Sequence, residues 1–310
     1  MNTNPAERED ASPPAVATLP PPRWIDVEGV RTWYCEAGRG TPLVFIYGGN
    51  FGSGESASGA YTWNLNLGPL AKHFRVIAFD KLGQGFTGNP QRDEDYTMAA
   101  VVRHAAGFLR ALDLPPVHLV GHSRGGYAAT RLALENHELV RSLTVVNSGT
   151  LSPGIGTNEP VLTRPPFARG SRECVRWVYE NYSFSPRAVT DEWVDAVLQI
   201  LAQAKYQETV KKMEDGKLAT KVFLPSLAHE KRETLQWLAD GRLQRPTQVV
   251  WGFNDRTAVI DRGIELFQTI ARHDRSTQFH VINESGHFPF REHPHRFNAL
   301  LARFVALHQD

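Results

Sequence analysis

The alternation of short apolar runs with amphipathic stretches is the feature that most limits how this 310-residue chain can fold. Almost wholly apolar runs occupy residues 43–46, 76–79, 117–120, 143–146, 249–251 and 279–282. Such runs suit parallel strands that helices cover on both faces. Apolar residues at helical spacing fill the intervals, most clearly over residues 98–112, 260–271 and 297–304. The pattern predicts a doubly wound α/β sheet.

This alternation stops after Asn147 and resumes near Arg245. The intervening segment is rich in aromatic residues and has helical spacing over residues 189–201 and 235–243. An insertion at the carboxyl end of a strand lies at the edge where such sheets bind ligands. The predicted organisation is therefore a flexible Pro- and Ala-rich lead-in over residues 1–22, a core domain over 23–151 and 244–310, and a helical lid over 152–243.

Charge, hydropathy and cysteine content indicate which binding partners and which cellular compartment to expect. The chain has 34 basic and 33 acidic residues, interspersed, and no basic stripe with interleaved aromatics, so nucleic acid is not an expected partner. No segment approaches the ~18 apolar residues of a membrane span, and the first residues lack the apolar core of a signal peptide. The two cysteines, Cys35 and Cys174, fit a reducing compartment. We expect a cytoplasmic protein without membrane contact, and a homo-oligomer remains possible.

One pentapeptide, Gly121-His122-Ser123-Arg124-Gly125, follows an apolar run and precedes a helical pattern. It fits the G-x-S-x-G turn that exposes a nucleophilic serine. Side chains two residues either side of the serine would collide with neighbouring backbone, which explains the glycines. Because G-x-S-x-G also occurs by chance, the turn alone leaves catalysis and a plain turn equally open.

An acid and a histidine follow the serine in the order that this turn requires. Asp255 follows the run over 249–251, and His287 follows the run over 279–282, so both lie at the same predicted sheet edge as Ser123. In this interpretation His287 takes the proton of Ser123 and Asp255 orients the imidazole. Glu284 is the second choice for the orienting acid.

An oxyanion hole requires two backbone donors beside the serine. The N–H of Arg124 at the start of the next helix is one candidate. The glycine loop Tyr47-Gly48-Gly49-Asn50 supplies the other, with Gly49 N–H as first choice and Gly48 N–H as second. We also expect the substrate to contact residues of this loop, of the elbow, of the lid and of the histidine loop, namely Gly48, Asn50, Phe51, His122, Trp177 and Phe288.

Other signals point away from cofactors and metals. The stretch GNFGSGES over residues 49–56 has the glycine spacing of a phosphate loop, but Glu55 stands where the lysine belongs. His287, His293 and His295 cluster without a second ligand pair at zinc-like spacing, so no metal is expected, and His293 and His295 fit the start of the last helix. Asp80 is interpreted as a hydrogen-bonding partner of the glycine-rich turn that follows it.

Taken together, these motifs resemble those of the α/β-hydrolase family over residues 24–308. The resemblance rests on the glycine loop at Gly48-Gly49, on Asp80-x-x-Gly83-x-Gly85, on the elbow at Ser123, on Asp255 and on Gly286-His287. It implies an eight-stranded, mostly parallel sheet with helices on both faces and a lid. Within the family, the Gly48-Gly49-Asn50 loop, the Asp255-Arg256 pair and GHFPFREHPHRFNALLARF over residues 286–304 resemble the meta-cleavage-product hydrolases. That family cleaves carbon–carbon bonds in vinylogous diketo acids and implies the triad Ser123, Asp255, His287 with a Gly49/Arg124 hole.

The chain departs from that resemblance at three places. Tyr47 replaces the usual histidine of the glycine loop, His122 replaces the usual asparagine before the nucleophile, and residues 189–201 lack the arginine that the family offers to the substrate's acid group. Arg172 and Arg176 are lid candidates for that missing cation. The leading hypothesis is a cofactor-free serine hydrolase of a small carbonyl compound, in its sharper version a carbon–carbon hydrolase. A carboxylester or lactone hydrolase, and a ligand-binding protein on the same scaffold, remain alternatives.

Overall fold

A computed structural model describes residues 19–154 and 165–309, and its centre is one eight-stranded sheet. The strands are β1 Pro22–Val27, β2 Val30–Ala37, β3 Pro42–Ile46, β4 Arg75–Phe79, β5 Val117–His122, β6 Val140–Val146, β7 Thr247–Gly252 and β8 Gln278–Ile282. Their spatial order is β1-β2-β4-β3-β5-β6-β7-β8, and the pairs from β4 to β8 are parallel. The predicted, mostly parallel eight-stranded sheet is confirmed.

Helices cover both faces of the sheet. They are α1 Asn64–Leu70, α2 Met98–Ala111, α3 Arg124–Glu135, α4 Arg172–Tyr182, α5 Asp191–Leu201, α6 Ala204–Glu214, α7 Leu224–Ala239, α8 Ile260–Ala271, α9 Pro289–Glu292 and α10 Pro294–Ala306. Along β3, Val44 and Ile46 pack in one apolar cluster with α2, α3 and α8, whereas Leu43 and Phe45 pack in the other with α1 and α10. The period of two along a strand buried on both faces produces this division into two cores.

The sequence patterns missed one hairpin and misplaced one helix. β1 and β2 pair antiparallel, and the first of them is largely exposed, so it lacks the apolar run that revealed the inner strands. The helix predicted over residues 235–243 is wrong in its bounds. It is the end of α7, which begins at Leu224, directly after a π-helical turn at Ala219–Phe223.

The chain between β6 and β7 contains helices α4 to α7, inside the range predicted as a lid. The division into lid and core domains stays a prediction, although these helices do lie beside the carboxyl ends of the parallel strands, as described below. The predicted lead-in lies outside the described residues except for residues 19–22, where β1 begins. In the described ranges, no helix is long and apolar enough to cross a membrane.

Candidate active site

Ser123 sits at a sharp turn between β5 and α3. Its backbone angles are φ 53° and ψ −125°, a region that a residue with a side chain rarely adopts and that stores strain at functional turns. The flanking glycines are required by close packing. A Cβ on Gly121 would lie 2.4 Å from the carbonyl oxygen of Gly125, and one on Gly125 would lie 2.3 Å from that of Ile46. The predicted strand-turn-helix geometry of the elbow is present.

The side chains of Asp255 and His287 are in contact, although 31 residues lie between them in the sequence. His287 Nδ1 donates a hydrogen bond of 2.6 Å to Asp255 Oδ2, and both side chains are almost fully buried. Thr257, which the sequence analysis did not single out, donates from its hydroxyl to Asp255 Oδ1 and lies 3.0 Å from His287 Nδ1. Glu284, the second choice, is exposed. The acid beside the imidazole is therefore Asp255.

The carboxylate of Asp255 is held by a dense set of donors. Oδ1 accepts from the backbone N–H groups of Thr257 and Ala258, and Oδ2 accepts from Asn147 Nδ2 at 2.7 Å. Burial by itself would raise the pKa of Asp255, but the His287 imidazole and these hydrogen bonds outweigh burial, so the pKa lies below its ordinary value. The carboxylate is therefore ionised and can orient the imidazole and stabilise its protonated form.

Asn147 was also missed, although it ends the strand at which the sequence pattern changes. Its side chain is fully buried, and while Nδ2 donates to Asp255, Oδ1 accepts from the backbone N–H of Gly252 at 3.1 Å. Its φ of 44° is one that asparagine tolerates better than most residues. Asparagine at the end of a buried strand was the available signal.

Ser123 and His287 line the same cavity. Because Nδ1 of His287 is bonded to Asp255, Nε2 is the ring nitrogen that can accept a proton from a hydroxyl. Among the described residues no hydrogen bond joins Ser123 Oγ to His287. Such bonds are often long in unliganded sites and tighten when substrate binds.

The glycine loop lies directly against the serine. A Cβ on Gly48 would come within 2.7 Å of Ser123 Cβ and 3.3 Å of its Oγ, so only glycine allows this approach. Gly49 has φ +82°, and with Gly48 and Asn50 it lines the same cavity as Ser123 and Arg124. The N–H of Arg124 belongs to the first turn of α3, where N–H groups have no partner within the helix. Of the two predicted oxyanion donors, one is therefore in the helix turn that follows Ser123 and the other in the glycine loop that lines the same cavity.

His122 presents a hydrogen-bond acceptor to this region. Its Nε2 lies 2.8 Å from the carbonyl oxygen of His287, which can only accept, so Nε2 carries the hydrogen. Burial, with the nearby His287 and Lys81, lowers the pKa of His122 well below its usual value, so the ring is neutral. Nδ1 is then an acceptor, buried beside Gly48 and without a partner among the described residues.

A cavity of about 920 Å³ adjoins these groups. Core residues form its floor, and helices α4 and α7 form much of its wall. The apolar and aromatic residues of the lining are Val178, Tyr179, Tyr182, Leu224, Leu227, Ala228, Leu235, Val259 and Phe288, and polar and charged residues, among them Lys231, Arg232 and Arg262, form the rest. The cavity can hold a small molecule with an extended apolar part.

The predicted substrate contacts are partly present. Gly48, Asn50, His122 and Phe288 do line the cavity. Phe51 and Trp177 do not, and these two predictions are wrong. Phe51 is 3% exposed and packs edge-on against Tyr96 and Phe223 in the core. Trp177 lies on α4 and is only partly buried, and the next two residues of that helix reach the cavity instead.

The lid arginines are also not the missing cation. Arg172 and Arg176 both pair with Asp191 on the far side of α4 and α5, and neither belongs to the cavity wall. Arg124, the residue after the serine, does line the cavity and is partly buried. Burial lowers its pKa to about 10, which leaves the guanidinium charged at neutral pH. In the described part of the chain it has no acidic partner; the Phe223 ring lies 5.4 Å from it, and Tyr182 is close enough to interact with its charge.

Other sequence interpretations have clear outcomes. Asp80 accepts hydrogen bonds from the backbone N–H of Phe86 and of Ala60, so its predicted role at the glycine-rich turn is confirmed. His293 caps α10, which begins at Pro294, as expected. Cys35 and Cys174 are both buried free thiols. Within residues 19–154 and 165–309, no group of three histidine, cysteine or acidic side chains is arranged to hold a metal ion.

Comparison with known proteins agrees with this fold. Residues 43–300 match the model of the alpha/beta hydrolase family. The 2-hydroxymuconate semialdehyde hydrolase of Pseudomonas sp. (strain CF600) is 30% identical over 294 residues, covering 92% of this chain and 93% of that protein. A 2-hydroxy-6-oxononadienedioate/2-hydroxy-6-oxononatrienedioate hydrolase of Paraburkholderia xenovorans (strain LB400) is 28% identical, covering 89% and 91%.

A solved structure extends the likeness to three dimensions. The meta-cleavage product hydrolase from Pseudomonas fluorescens IP01 superposes with a TM-score of 0.73 at 25% identity, covering 92% of this chain and 97% of that one. The chain belongs to the α/β hydrolase family. It is a hydrolase, similar over nearly its whole length to meta-cleavage product hydrolases.

Proposed function

We propose that Ser123, His287 and Asp255 form a catalytic triad that hydrolyses a carbon–carbon bond in an acidic dienoate of the meta-cleavage type. The observation that carries the proposal is Arg124, a charged guanidinium without an acidic partner among the described residues, in the same cavity as Ser123. A carboxylate in that cavity would gain a charge-assisted hydrogen bond that a neutral ester lacks.

The cavity offers complementary groups for the acid and for the unsaturated chain of such a substrate. Arg124 matches the carboxylate. The aromatic wall formed by Tyr179, Tyr182 and Phe288 suits the unsaturated chain. Glu55, also on the wall, pairs with Arg169 at 3.4 Å and so leaves Arg124 available for a ligand. The names of the relatives, which act on dienoates of this class, support the same substrate class.

The proposed reaction has an acylation stage and a hydrolysis stage. Ser123 Oγ attacks the carbonyl carbon of the substrate while His287 Nε2 takes the hydroxyl proton. The N–H groups of Gly49 and Arg124 stabilise the resulting oxyanion, each lowering the barrier by about 3–4 kcal/mol. Before this attack the enol hydroxyl proton of the substrate moves to the chain carbon next to the reacting carbonyl. Breaking the carbon–carbon bond of the tetrahedral adduct then releases a dienolate, whose oxygen takes the proton from the imidazolium. Water, deprotonated by His287, then hydrolyses the acyl-serine to a carboxylic acid and restores the serine.

The helices between β6 and β7 have a place in this proposal. We assign residues 152–243 the role of a lid that excludes water from the reacting carbonyl. Support comes from α4 and α7, whose side chains face the cavity opposite Ser123. Exclusion of water strengthens the electrostatic contacts of the oxyanion.

The test is a parallel assay of the purified protein on 2-hydroxymuconate semialdehyde and on 4-nitrophenyl acetate, with Ser123→Ala as the control. The proposal expects turnover of the dienoate that Ser123→Ala abolishes, and covalent labelling of Ser123 by a fluorophosphonate. Turnover of the ester alone would make the protein a carboxylester or lactone hydrolase. Absence of both turnover and labelling would favour a ligand-binding protein on this scaffold.

A further inference from the structure

Lys81 contacts the backbone of the glycine loop and is not among the residues that line the cavity. Its side chain is 0% exposed, which is rare for lysine. Nζ donates hydrogen bonds to the carbonyl oxygen of Gly48 at 2.9 Å and to that of Gly49 at 3.2 Å. Gly48 lies against Ser123 and Gly49 lines the same cavity, so the buried lysine is connected to the candidate oxyanion hole by the backbone of this loop.

The planarity of the peptide bond determines what these contacts do. In a trans peptide the C=O and the following N–H point in opposite directions. Since the carbonyls of Gly48 and Gly49 point at Lys81, the N–H groups of Gly49 and Asn50 point away from it. Gly48, Gly49 and Asn50 line the cavity that contains Ser123. The lysine therefore turns the Gly49 N–H toward the side where an oxyanion forms.

Lys81 is itself held in place. Its Nζ lies 4.9 Å from the centre of the Tyr47 ring, a cation–π distance, and its backbone N–H donates to Tyr47 Oη at 3.1 Å. Burial, and then the charge of Arg124, lower the pKa of Lys81 well below its usual value. Both protonation states of the amine keep at least two hydrogens, so both carbonyl contacts persist in either state.

We propose that Lys81 is a positioning residue for the oxyanion hole, which orients and polarises the Gly48–Gly49 and Gly49–Asn50 peptides. A hydrogen bond to the carbonyl of an amide strengthens the hydrogen bond that its N–H gives, by about 10–30% for each bond. The contact also removes alternative orientations of a loop in which Gly49, at φ +82°, has no side chain to restrict it. The inference rests on Ser123 being the nucleophile, as proposed above.

A purely structural role for Lys81 makes a different prediction, and the chain offers a matched control. Lys205, in α6, is also largely buried, and its Nζ donates to the backbone carbonyl of Thr87 at 2.6 Å. Burial lowers the pKa of Lys205 to about 8. It lies outside the cavity wall, so its loss affects stability without affecting an oxyanion.

The experiment compares Lys81→Met, Lys81→Gln and Lys205→Met with the wild type. Kinetics on 4-nitrophenyl acetate separate kcat from KM, and the inhibition constant of an aryl trifluoromethyl ketone reports the oxyanion formed when Ser123 adds to its carbonyl. For Lys81→Met we expect kcat/KM to fall and the inhibition constant to rise together by about 10- to 100-fold, with KM changed by less than about twofold. Lys81→Gln, whose shorter side chain reaches at most one of the two carbonyls, should be intermediate. Lys205→Met should bind the ketone like the wild type even where its melting temperature falls.

A folded Lys81→Met protein with the inhibition constant of the wild type would overturn the inference, as would an equal loss in Lys205→Met. If Lys81→Met does not fold, Lys81→Gln decides, and ketone binding equal to that of the wild type counts against the inference. Failure of the proposed function is distinguishable, because the wild type itself would then be neither inhibited by the ketone nor labelled by a fluorophosphonate.

Discussion

Replacing the Arg124 side chain isolates its proposed role in binding an acid group. Arg124→Met removes the guanidinium and keeps both the apolar stem and the backbone N–H. A hydrogen bond to a charged group contributes about 1.5–3 kcal/mol. The Arg124 guanidinium has already lost much of its hydration, since burial lowers its pKa to about 10. Little further desolvation opposes binding, and we expect an effect of about 2–3 kcal/mol, or about 30- to 150-fold in kcat/KM.

The assay uses two esters that differ in one charge, mono-4-nitrophenyl glutarate and its methyl ester. The ratio of their kcat/KM values cancels any general effect of the substitution on the oxyanion hole or on folding. Arg124→Met should lower the preference for the anionic ester by about 30- to 150-fold. Arg176→Met, which removes an arginine bound to Asp191 outside the cavity, should leave the ratio unchanged. An unchanged ratio in Arg124→Met, or an equal fall in Arg176→Met, would refute the assignment.

Three further substitutions test the local geometry. The free energy of unfolding of Ser123→Gly should exceed that of Ser123→Ala by about 1 kcal/mol, because glycine relieves the strain of φ 53°. Urea denaturation measures both values, and equal values would show that the strain is absent. Asn147→Ala should cost about 2–4 kcal/mol, because it leaves the buried Gly252 N–H unpaired and puts alanine at the φ of 44° that Asn147 adopts, and a loss below about 1 kcal/mol contradicts this. Burial raises the pKa of Glu292 to about 7, so the folded state binds this proton more tightly than the unfolded state does. The contribution of Glu292 to the free energy of unfolding therefore declines as the pH rises from about 4.5 to about 7. Glu292→Gln should flatten that decline in denaturation measured at pH 5 and pH 8, and an unaltered slope would assign it to other groups.

The inner strands and the shared sheet edge of the proposed triad were predictable because their signals are local or ordered. A strand buried on both faces must be apolar throughout, and residues that follow such strands lie at one edge, which is where Ser123, Asp255 and His287 are found. β1 lacked this signal because most of its residues are exposed.

Contacts that depend on the direction of one side chain were not predictable. Neighbouring residues of a helix point about 100° apart, so the aromatic pattern of α4 could not separate Trp177 from Tyr179, which reaches the cavity. Phe51 belongs to the right loop but points into the core. Asn147 and Lys81 act through contacts with chain segments distant in sequence, and a single sequence does not show such pairings.

The proposed catalytic groups and the apolar residues of the cavity wall come from different parts of the chain, and this has an evolutionary consequence. The groups proposed for bond breaking come from loops at the ends of strands, whereas Leu224, Leu227, Ala228 and Leu235 lie along one stripe of α7. Exchanges on that single helix alter the room for a substrate's tail and leave the reacting atoms untouched. Evolution can therefore change the range of substrates in small steps, by altering the size of these four side chains. A mutant library confined to the same four positions would explore that range in the laboratory.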